Sequence, residues 1–275
     1  MPELPEVETI ARHLRPDLVG LTITDADVRW RRTIAAPSVR RFRQQIQGQV
    51  IREVGRRAKF LRIELSDYEL LIHLRMSGDL AFSRSPAAPA KHDRLILSLM
   101  PPTRARKAPP RYSLAFNDTR KFGRVWLTAN PEEVTGHLGP EPLSDEFTPQ
   151  WLSDALHKRH RQLKPLLLDQ TFLAGLGNIY TDESLHRAGL HPLSLSDAVT
   201  TRKAEELHAA IRATLQEGIR RNGASFDWVY RGGDFQNYFR VYDREGQPCP
   251  VCGTPIERLI VGQRGTHICP NCQKE

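Results

Sequence analysis

The first six residues, Met1-Pro-Glu-Leu-Pro-Glu6, place a possible nucleophile beside two carboxylates. If Met1 is removed, Pro2 carries the N-terminal amine, whose reference pKa of about 8 leaves a useful unprotonated fraction at neutral pH. Such an amine can attack a carbonyl carbon and form an imine, and Glu3 or Glu6 can move the protons that this requires. An ordinary helix start explains the same residues, because proline and acidic residues both favour the first turn of a helix.

Four cysteines form a second chemical pattern, CxxC-x16-CxxC, near the end of the chain. This spacing is typical of a four-thiolate zinc site, and since all four ligands are sulfur it predicts one closed, structural Zn²⁺. The alternative is a disulfide pair or free thiols. Metal binding is favoured if the protein is intracellular, because disulfides are rare in reducing compartments. The predicted ligands are Cys249, Cys252, Cys269 and Cys272.

Basic residues outnumber acidic ones, 40 to 32, and the excess is concentrated. Between Arg29 and Arg62 there are eleven Lys or Arg and one acid, Glu53. This concentration favours a surface that faces phosphates, although a solvated face tuned for solubility is the alternative.

Nothing in the chain indicates a membrane or an assembly. No stretch is apolar and long enough to span a bilayer, and the N-terminus lacks the apolar core of a signal peptide. We therefore expect a cytoplasmic protein. No heptad or exposed apolar stripe stands out, so we also expect a monomer.

Two kinds of elements must position these residues. Residues 2–19 predict an amphipathic helix closed by Gly20, and the period then shortens to that of strands, which predicts a two-sheet β-sandwich. The predicted strands are 21–28, 60–65, 70–74, 94–99, 112–116 and 123–127. Pro- and Ala-rich loops are expected at 83–91 and 101–111.

After a proline-rich linker at 131–149 the period becomes helical, so the fold class is α+β. Helices are predicted over 151–168, 180–188 and 197–222. Ser196 or Asp197 can cap the last of these, and Gly223 can end it.

Six motifs in order resemble the bacterial formamidopyrimidine-DNA glycosylase family, relatives of endonuclease VIII. The similarity covers essentially the whole chain, and the formamidopyrimidine branch fits better than endonuclease VIII. The motifs are PELPEVET at 2–9, HLRMSG at 73–78, KHDR at 91–94, NDTRKFG at 117–123, LLLDQTFLAGLGNIYTDE at 166–183 and VGQRGTHICPNCQ at 261–273.

The resemblance implies an order of domains. It implies an N-terminal catalytic β-sandwich domain over 1–132, a linker over 133–147 and a helix–two-turn–helix domain over 148–223. A lesion-loop segment over 224–247 and a zinc finger over 248–275 follow.

The resemblance also implies a bifunctional glycosylase and lyase that acts on double-stranded DNA with oxidised bases or abasic sites, associated with the nucleoid while on DNA. Pro2 is then the nucleophile at the sugar C1′, Glu3 handles the proton for ring opening and Glu6 supports it. Lys59 is the proton donor of β-elimination, a role compatible with an ordinary phosphate-binding lysine. Arg264 matches the residue of the second elimination, although a permanently charged guanidinium suits a phosphate contact better.

Three further side chains match the family residues that fill the space left by a flipped base: Met76, Arg120 and Phe122. For Met76 the alternative to this role is packing in the core. For Asn178, a predicted DNA contact, the alternative is capping of a helix. The other matches to family DNA contacts are His73, His92, Arg159, Lys164 and Asn178.

Three departures from the family pattern stand out. The segment 226–238 is shorter than the loop that closes over 8-oxoguanine, so we expect better action on ring-opened purines or oxidised pyrimidines. Thr119 replaces a usual proline, and Lys121 replaces a usual arginine. Endonuclease VIII-like specificity and a non-catalytic, zinc-dependent DNA-binding protein are the alternatives.

Overall fold

The computed structural model describes residues 1–85, 88–102, 111–225 and 232–274. The chain forms two compact units. The first contains Met1–Pro2 and Glu6–His137, and the second contains Glu3–Pro5, Leu138–Ser225 and the chain from Gly232. The two predicted loops are therefore described only in part, and residues 226–231 of the predicted lesion-loop segment lie outside the described residues.

The first unit is built from two short helices, one long helix and nine strands within the described residues. The long helix begins at Leu4, and Gly20, at φ +89°, lets the chain turn away after it. The elements are α1 (Leu4–Leu18), β1 (Thr22–Val28), β2 (Ile34–Ala36), α2 (Val39–Ile46), β3 (Ile51–Arg57), β4 (Phe60–Leu65), β5 (Glu69–His73), β6 (Gly78–Ser83), β7 (Asp93–Met100), β8 (Tyr112–Asp118), β9 (Arg124–Thr128) and α3 (Glu132–Thr135).

The strands form two sheets, as the alternating pattern predicts. One has the order β1-β7-β8-β6 and the other β2-β9-β5-β4-β3. One apolar cluster joins both sheets to the face of α1 that carries Val7, Ala11, Leu14 and Leu18.

Five elements of this unit were not predicted. The short α3 lies in the segment predicted as a linker, and the other four have local reasons. Strands β2, β3 and β6 lie at sheet edges, where charged and small residues replace an alternating pattern. Helix α2, VRRFRQQI, buries only Phe42 and Ile46, so its apolar stripe is a single i, i+4 pair.

The second unit contains four helices and a hairpin among the residues described. Helix α6 packs against α5, α7 and the hairpin. The elements are α4 (Pro149–His157), α5 (Leu163–Leu168), α6 (Asn178–Ala188), α7 (Thr201–Arg220), β10 (Glu257–Val261) and β11 (Arg264–Ile268).

Two helix predictions were wrong in detail. The single helix over 151–168 is two helices, because Pro165 in the interior would remove a hydrogen bond and clash with the preceding turn, whereas it fits the first turn of α5. The helix expected from Asp197 begins at Thr201, and the Thr200 side chain caps it by accepting from Lys203 N. Ser196 and Asp197 form a separate 3-10 turn.

Over the described residues, none of the helices combines the length and apolarity that crossing a bilayer requires.

Candidate functional site

Glu3 caps helix α6 from a distant part of the sequence. Its Oε2 accepts hydrogen bonds from Gly177 N at 2.6 Å and Tyr180 N at 3.4 Å, and its Oε1 accepts from Ile179 N at 3.0 Å. A carboxylate suits this position because the first N–H groups of a helix lack partners within it. Only 3% of Glu3 is exposed, so the carboxylate is held in one place.

The two glycines before α6 make this approach possible. Gly175 adopts φ +96°, and a Cβ there would lie 2.7 Å from Leu4 Cδ1. A Cβ at Gly177 would collide with the Glu3 carboxyl group. The sequence predicted that this turn offers N–H groups to a phosphate, but the structure gives three of them to Glu3.

Asn178 is the first residue of α6, and Gly177 occupies the cap position. The Asn178 Nδ2 donates to the Gly265 carbonyl oxygen at 3.0 Å. Its side chain therefore holds the β10–β11 hairpin and does not cap the helix.

Tyr242 lies beside Asn178, and burial raises the pKa of its phenol. Sequence reasoning missed Tyr242, because it stands in an aromatic segment without a spacing that indicates chemistry. The buried carboxylate of Glu183 positions this segment by accepting from the backbone N–H groups of Arg240, Val241 and Tyr242 at 2.9 to 3.1 Å. Burial raises the pKa of Glu183, and these three donors act in the opposite direction.

Lys164 and Asp182 form a fully buried ion pair, with Nζ and Oδ1 2.6 Å apart. The ammonium group also donates to Thr266 Oγ1 at 2.8 Å and to the Gly265 carbonyl oxygen at 3.0 Å. The other carboxylate oxygen of Asp182 accepts from His267 N at 2.9 Å. Burial lowers the pKa of Lys164, while Asp182 raises it.

This geometry corrects the role predicted for Lys164. A DNA contact would require the ammonium group to leave all three partners and the interior. The pair instead fixes β11, whose first residue is the exposed Arg264.

In the first unit, six predicted site residues lie at strand ends or in the adjoining turns, all at one end of the sandwich. They are Lys59, His73, Met76, His92, Arg120 and Phe122. The register shows this, because Phe60 pairs with both Arg57 and His73, and His73 pairs with Arg124. In the other sheet Gly78 pairs with Asp118, and Asp93 pairs with Asn117.

His73 is buried next to Lys59, and its Nδ1 accepts from Arg75 N at 3.0 Å. Burial, followed by the charges of Arg75 and Lys59, lowers the pKa of His73 to about 3. The imidazole is therefore neutral at pH 7. Because Nδ1 accepts, the proton sits on Nε2, which is then a hydrogen-bond donor.

Met76 and Phe122 are exposed at turn tips, to 49% and 47% respectively. The Arg120 guanidinium lies 4.9 Å from the centre of the Phe122 ring. The buried Asp118 connects the two turns, since it accepts from Ser77 Oγ, Arg120 N and Gly123 N. Met76 is thus not a core residue, and Asp118 is a positioning residue that the motif alone did not distinguish.

A shared backbone feature marks the predicted site residues. Six non-glycine residues of the described chain have positive φ, and four of them directly precede a predicted site residue. These are Ala58 before Lys59, Arg75 before Met76, Lys121 before Phe122 and Gln263 before Arg264. Left-handed non-glycine residues cost about 1 to 3 kcal/mol each and persist where the surrounding structure demands them.

The structure also places Pro2, Glu6, His92 and Arg159. Pro2 is half-buried, and Glu6 is buried in the first turn of α1. The half-buried His92 lies 3.2 Å from Arg94 Nη2 through its Nδ1. Arg159 donates to the Ala155 carbonyl oxygen and stacks on Phe172, 5.0 Å from the ring centre.

The four cysteines fit one tetrahedral zinc ion. Their sulfur atoms lie within 4.8 Å of one another. The Cys252 sulfur is 3.4 Å from that of Cys269 and 3.5 Å from that of Cys272, which is 3.9 Å from that of Cys249. Tetrahedral thiolates about 2.3 Å from zinc are about 3.8 Å apart. His186 Nε2 lies 3.4 Å from Cys249 Sγ, and Gln273 accepts from Cys269 N, so the ligands are themselves held. The predicted structural zinc is confirmed.

Three family models match almost the whole chain. They describe the formamidopyrimidine-DNA glycosylase N-terminal domain over 1–125, the formamidopyrimidine-DNA glycosylase H2TH domain over 138–228 and a zinc finger found in FPG and IleRS over 246–274. The chain belongs to the formamidopyrimidine-DNA glycosylase family.

Whole-length relatives agree. The formamidopyrimidine-DNA glycosylase of Pelotomaculum thermopropionicum is 44% identical over 283 residues, which covers 100% of this chain and 99% of the relative. That of Chloroflexus aurantiacus is also 44% identical, with 99% of this chain and 98% of the relative covered.

Solved structures of the family share the fold. The Lactococcus lactis Fpg in complex with abasic-site DNA superposes with a TM-score of 0.89 at 33% identity, and 100% of each chain is covered. MutM in complex with carbocyclic 8-oxo-G DNA gives the same TM-score at 34% identity, again with full coverage of both chains.

Proposed function

We propose that this protein is a DNA glycosylase of base-excision repair that also cuts abasic sites. One observation carries the proposal: Glu3, the residue next to Pro2, is buried and fixed by three N–H donors at the start of α6. A helix start needs no carboxylate from so far away in the sequence. A nucleophile that must meet a sugar carbon needs a fixed neighbour.

Pro2, once Met1 is removed, attacks C1′ of the damaged nucleotide. The new N–C1′ bond replaces the bond from C1′ to the base, and the base leaves with the electron pair and gains a proton. The nitrogen lone pair then opens the sugar ring, Glu3 delivers a proton to O4′, and an iminium forms.

The iminium makes the C2′ proton acidic, and its loss expels the 3′ phosphate. A second elimination expels the 5′ phosphate and leaves a one-nucleotide gap. We assign Glu6 a supporting role beside Glu3, Lys59 the proton transfer of the first elimination and Arg264 a grip on the phosphate. These roles combine the chemistry of the side chains with the family membership.

The exposed side chains have a matching role in binding. A flipped base leaves a hole in the stack, which Met76 and Phe122 can fill while Arg120 donates to the orphaned base. The neutral His73 offers a donor to a phosphate oxygen, and His92, Arg159 and Asn178 are further proposed contacts.

The substrate proposal has a ranking. Neighbouring structures are described with abasic, N7-benzyl-Fapy-dG and carbocyclic 8-oxo-G DNA. We propose that this protein removes ring-opened purines or oxidised pyrimidines more rapidly than it removes 8-oxoguanine, because its segment 226–238 is short. We also propose that it works in the cytoplasm, on nucleoid DNA.

Borohydride trapping tests the proposal. Duplexes with an abasic site, a ring-opened guanine or 8-oxoguanine are incubated with protein whose intact mass confirms the loss of Met1. We expect a covalent adduct that maps to Pro2, and slower single-turnover removal of 8-oxoguanine.

The matched control is the same chain with one extra N-terminal residue retained, which should bind DNA but form no Pro2 adduct. Absence of an adduct on the abasic duplex would favour the non-catalytic DNA-binding protein. Equal or faster removal of 8-oxoguanine would contradict the ranking. On a fourth duplex, faster removal of an oxidised pyrimidine than of the ring-opened guanine would favour endonuclease VIII-like specificity.

A further inference from the structure

An arginine cluster on the first unit lies outside the proposed catalytic residues. Residues 30–47 contain five arginines and no acid. All five are exposed, and none has a carboxylate partner within 4 Å among the described residues. They are Arg31, Arg32, Arg40, Arg41 and Arg43.

Other arginines of this unit behave differently. Arg12 pairs with Glu8 at 2.7 Å, and Arg84 pairs with Asp17 at 2.6 Å. Unpaired, exposed arginines so close together repel one another, which is a cost that an anionic partner would remove.

Three members of the cluster line one groove of about 530 Å³. Arg31 comes from the 3-10 turn after Trp30, and Arg40 and Arg43 come from α2. The other lining residues are Val28, Val39 and Gln44, so no carboxylate faces the groove. Guanidinium groups hold phosphates through two parallel hydrogen bonds, which makes a phosphate the fitting occupant.

A side-chain contact connects the edge of the groove to the turn that carries Phe122. The Lys121 ammonium lies 4.3 Å from the centre of the Trp30 ring, and Arg31 follows Trp30 directly. Trp30 N also donates to the Arg94 carbonyl oxygen, next to His92 and Asp93. A short run of neighbouring side chains therefore leads from the base-replacing turn to the groove.

We propose that this arginine groove binds phosphates of the same DNA duplex beyond the nucleotides that flank the lesion. The proposal rests on the proposed function, because it assumes that Phe122 and its turn meet DNA. It adds a second contact region, which lengthens the footprint of the protein without touching the damaged base.

Duplex length separates the two regions. Binding is measured with stable abasic-site analogues in duplexes of one turn, about 10 base pairs, and of three turns. We expect Arg40→Gln with Arg43→Gln to leave affinity for the short duplex unchanged. On the long duplex, the slope of log affinity against log salt should become shallower by about 2, one unit for each lost phosphate contact.

The matched control combines Arg12→Gln with Arg84→Gln, which removes the same charge from paired arginines of the same unit. It should leave the long-duplex slope unchanged. An equal change in the control would reduce the effect to net charge, and an equal loss on the short duplex would place the groove at the lesion. Either result would overturn the proposal, as would a groove variant that binds both duplexes normally.

Two further readouts keep the outcomes distinct. Thermal unfolding of the groove variant should match that of the unsubstituted protein, since the substituted side chains are exposed and unpaired within the described part of the chain. Borohydride trapping on a one-turn duplex with a natural, reactive abasic site should be unchanged in both variants. Absence of trapping in the unsubstituted protein would contradict the proposed function alone, whereas unaltered long-duplex binding by the groove variant would contradict only the groove.

Polyglutamate tests a different partner for the groove. Binding of polyglutamate that depends on Arg40 and Arg43, without a length effect on DNA, would indicate an acidic protein as partner and overturn the DNA assignment.

Discussion

The two regions that we propose to face DNA are built in opposite ways. In the second unit, Glu3, Asp182, Glu183 and Lys164 are buried polar groups, each with two or more hydrogen-bond partners. In the first unit, Met76 and Phe122 are apolar and about half exposed. The polar residues are inside and the apolar residues are outside, the reverse of the usual distribution.

The difference teaches which parts must be positioned before DNA arrives. Proton transfer and phosphate contacts depend on sub-ångström placement, which buried and fully bonded groups supply. The side chains that we propose to replace a flipped base are exposed in the protein without DNA. Their backbone is held instead, through Asp118 and the left-handed Arg75 and Lys121.

Of the substitutions considered, Glu3→Gln in the buried region should reduce activity most. The amide cannot donate a proton as an acid can, and its NH₂ group would face an N–H donor of α6. We expect single-turnover base removal to fall by about 100- to 10,000-fold, the usual contribution of general acid–base catalysis. Loss of the cap should also cost about 1 kcal/mol of unfolding free energy.

Glu8→Gln, whose carboxylate pairs with Arg12 and Arg56, is the control and should retain base removal. A Glu3→Gln protein that removes bases at the normal rate would show that Glu3 is only a helix cap.

Asp182→Asn should destabilise the packing of the β10–β11 hairpin, which Lys164 and Asp182 hold. It leaves a buried ammonium without a counter-charge, and breaking such a pair costs about 3 to 5 kcal/mol. Chemical denaturation measures this loss. A positioning role also predicts that the variant loses DNA affinity through the Arg264 hairpin.

Lys164→Met combined with Asp182→Asn should recover much of the stability, because the buried charge is gone. If the double variant recovered DNA affinity to the same degree, hairpin position would depend on stability alone. Failure of the double variant to regain stability would contradict the ion-pair explanation.

The buried His73 of the first unit should make the stability of the protein depend on pH. Its pKa is about 3 in the folded state and near 6.5 when unfolded, so the unfolded state binds more protons between these values. The stability due to neutral His73 is complete above about pH 6.5 and is lost progressively as the pH falls towards 3. Between pH 7 and pH 5 the loss should reach about 2 kcal/mol.

His73→Asn should flatten this part of the stability profile relative to the unsubstituted protein. His13→Asn, at an exposed position of α1, serves as the control. Parallel profiles for His73→Asn and the unsubstituted protein would show that His73 does not titrate as its burial indicates.

Phe122→Ala tests the exposed region and should leave the fold almost untouched. We expect a change in unfolding free energy within about 0.5 kcal/mol, as for other surface substitutions. Affinity for lesion DNA should fall by about tenfold, because stacking of one aromatic ring on a base contributes about 1 to 3 kcal/mol. Val19→Ala, at an equally exposed apolar residue, should leave affinity unchanged, and a large loss of stability in Phe122→Ala would contradict the tip assignment.

The sequence predicted most of the chemistry and the longer elements. The zinc ligands could be read from spacing, and β4 could be read from alternation, because both patterns are local. The partners of Glu3 could not, since they lie more than 170 positions away in the chain. The family resemblance predicted a DNA contact for Lys164, whereas its burial depends on Asp182 and the hairpin, which only tertiary structure brings together.

The capping of α6 by Glu3 has a consequence for the reach of the proposed nucleophile. Pro2 and Glu3 are consecutive, and adjacent Cα atoms of a trans peptide are about 3.8 Å apart. With the Glu3 carboxylate fixed, the attacking nitrogen is on a tether of one peptide unit. Such a tether confines the amine to a small volume. If the sugar carbon is bound there, as we propose, the confinement corresponds to a high effective molarity without any added contact to the substrate.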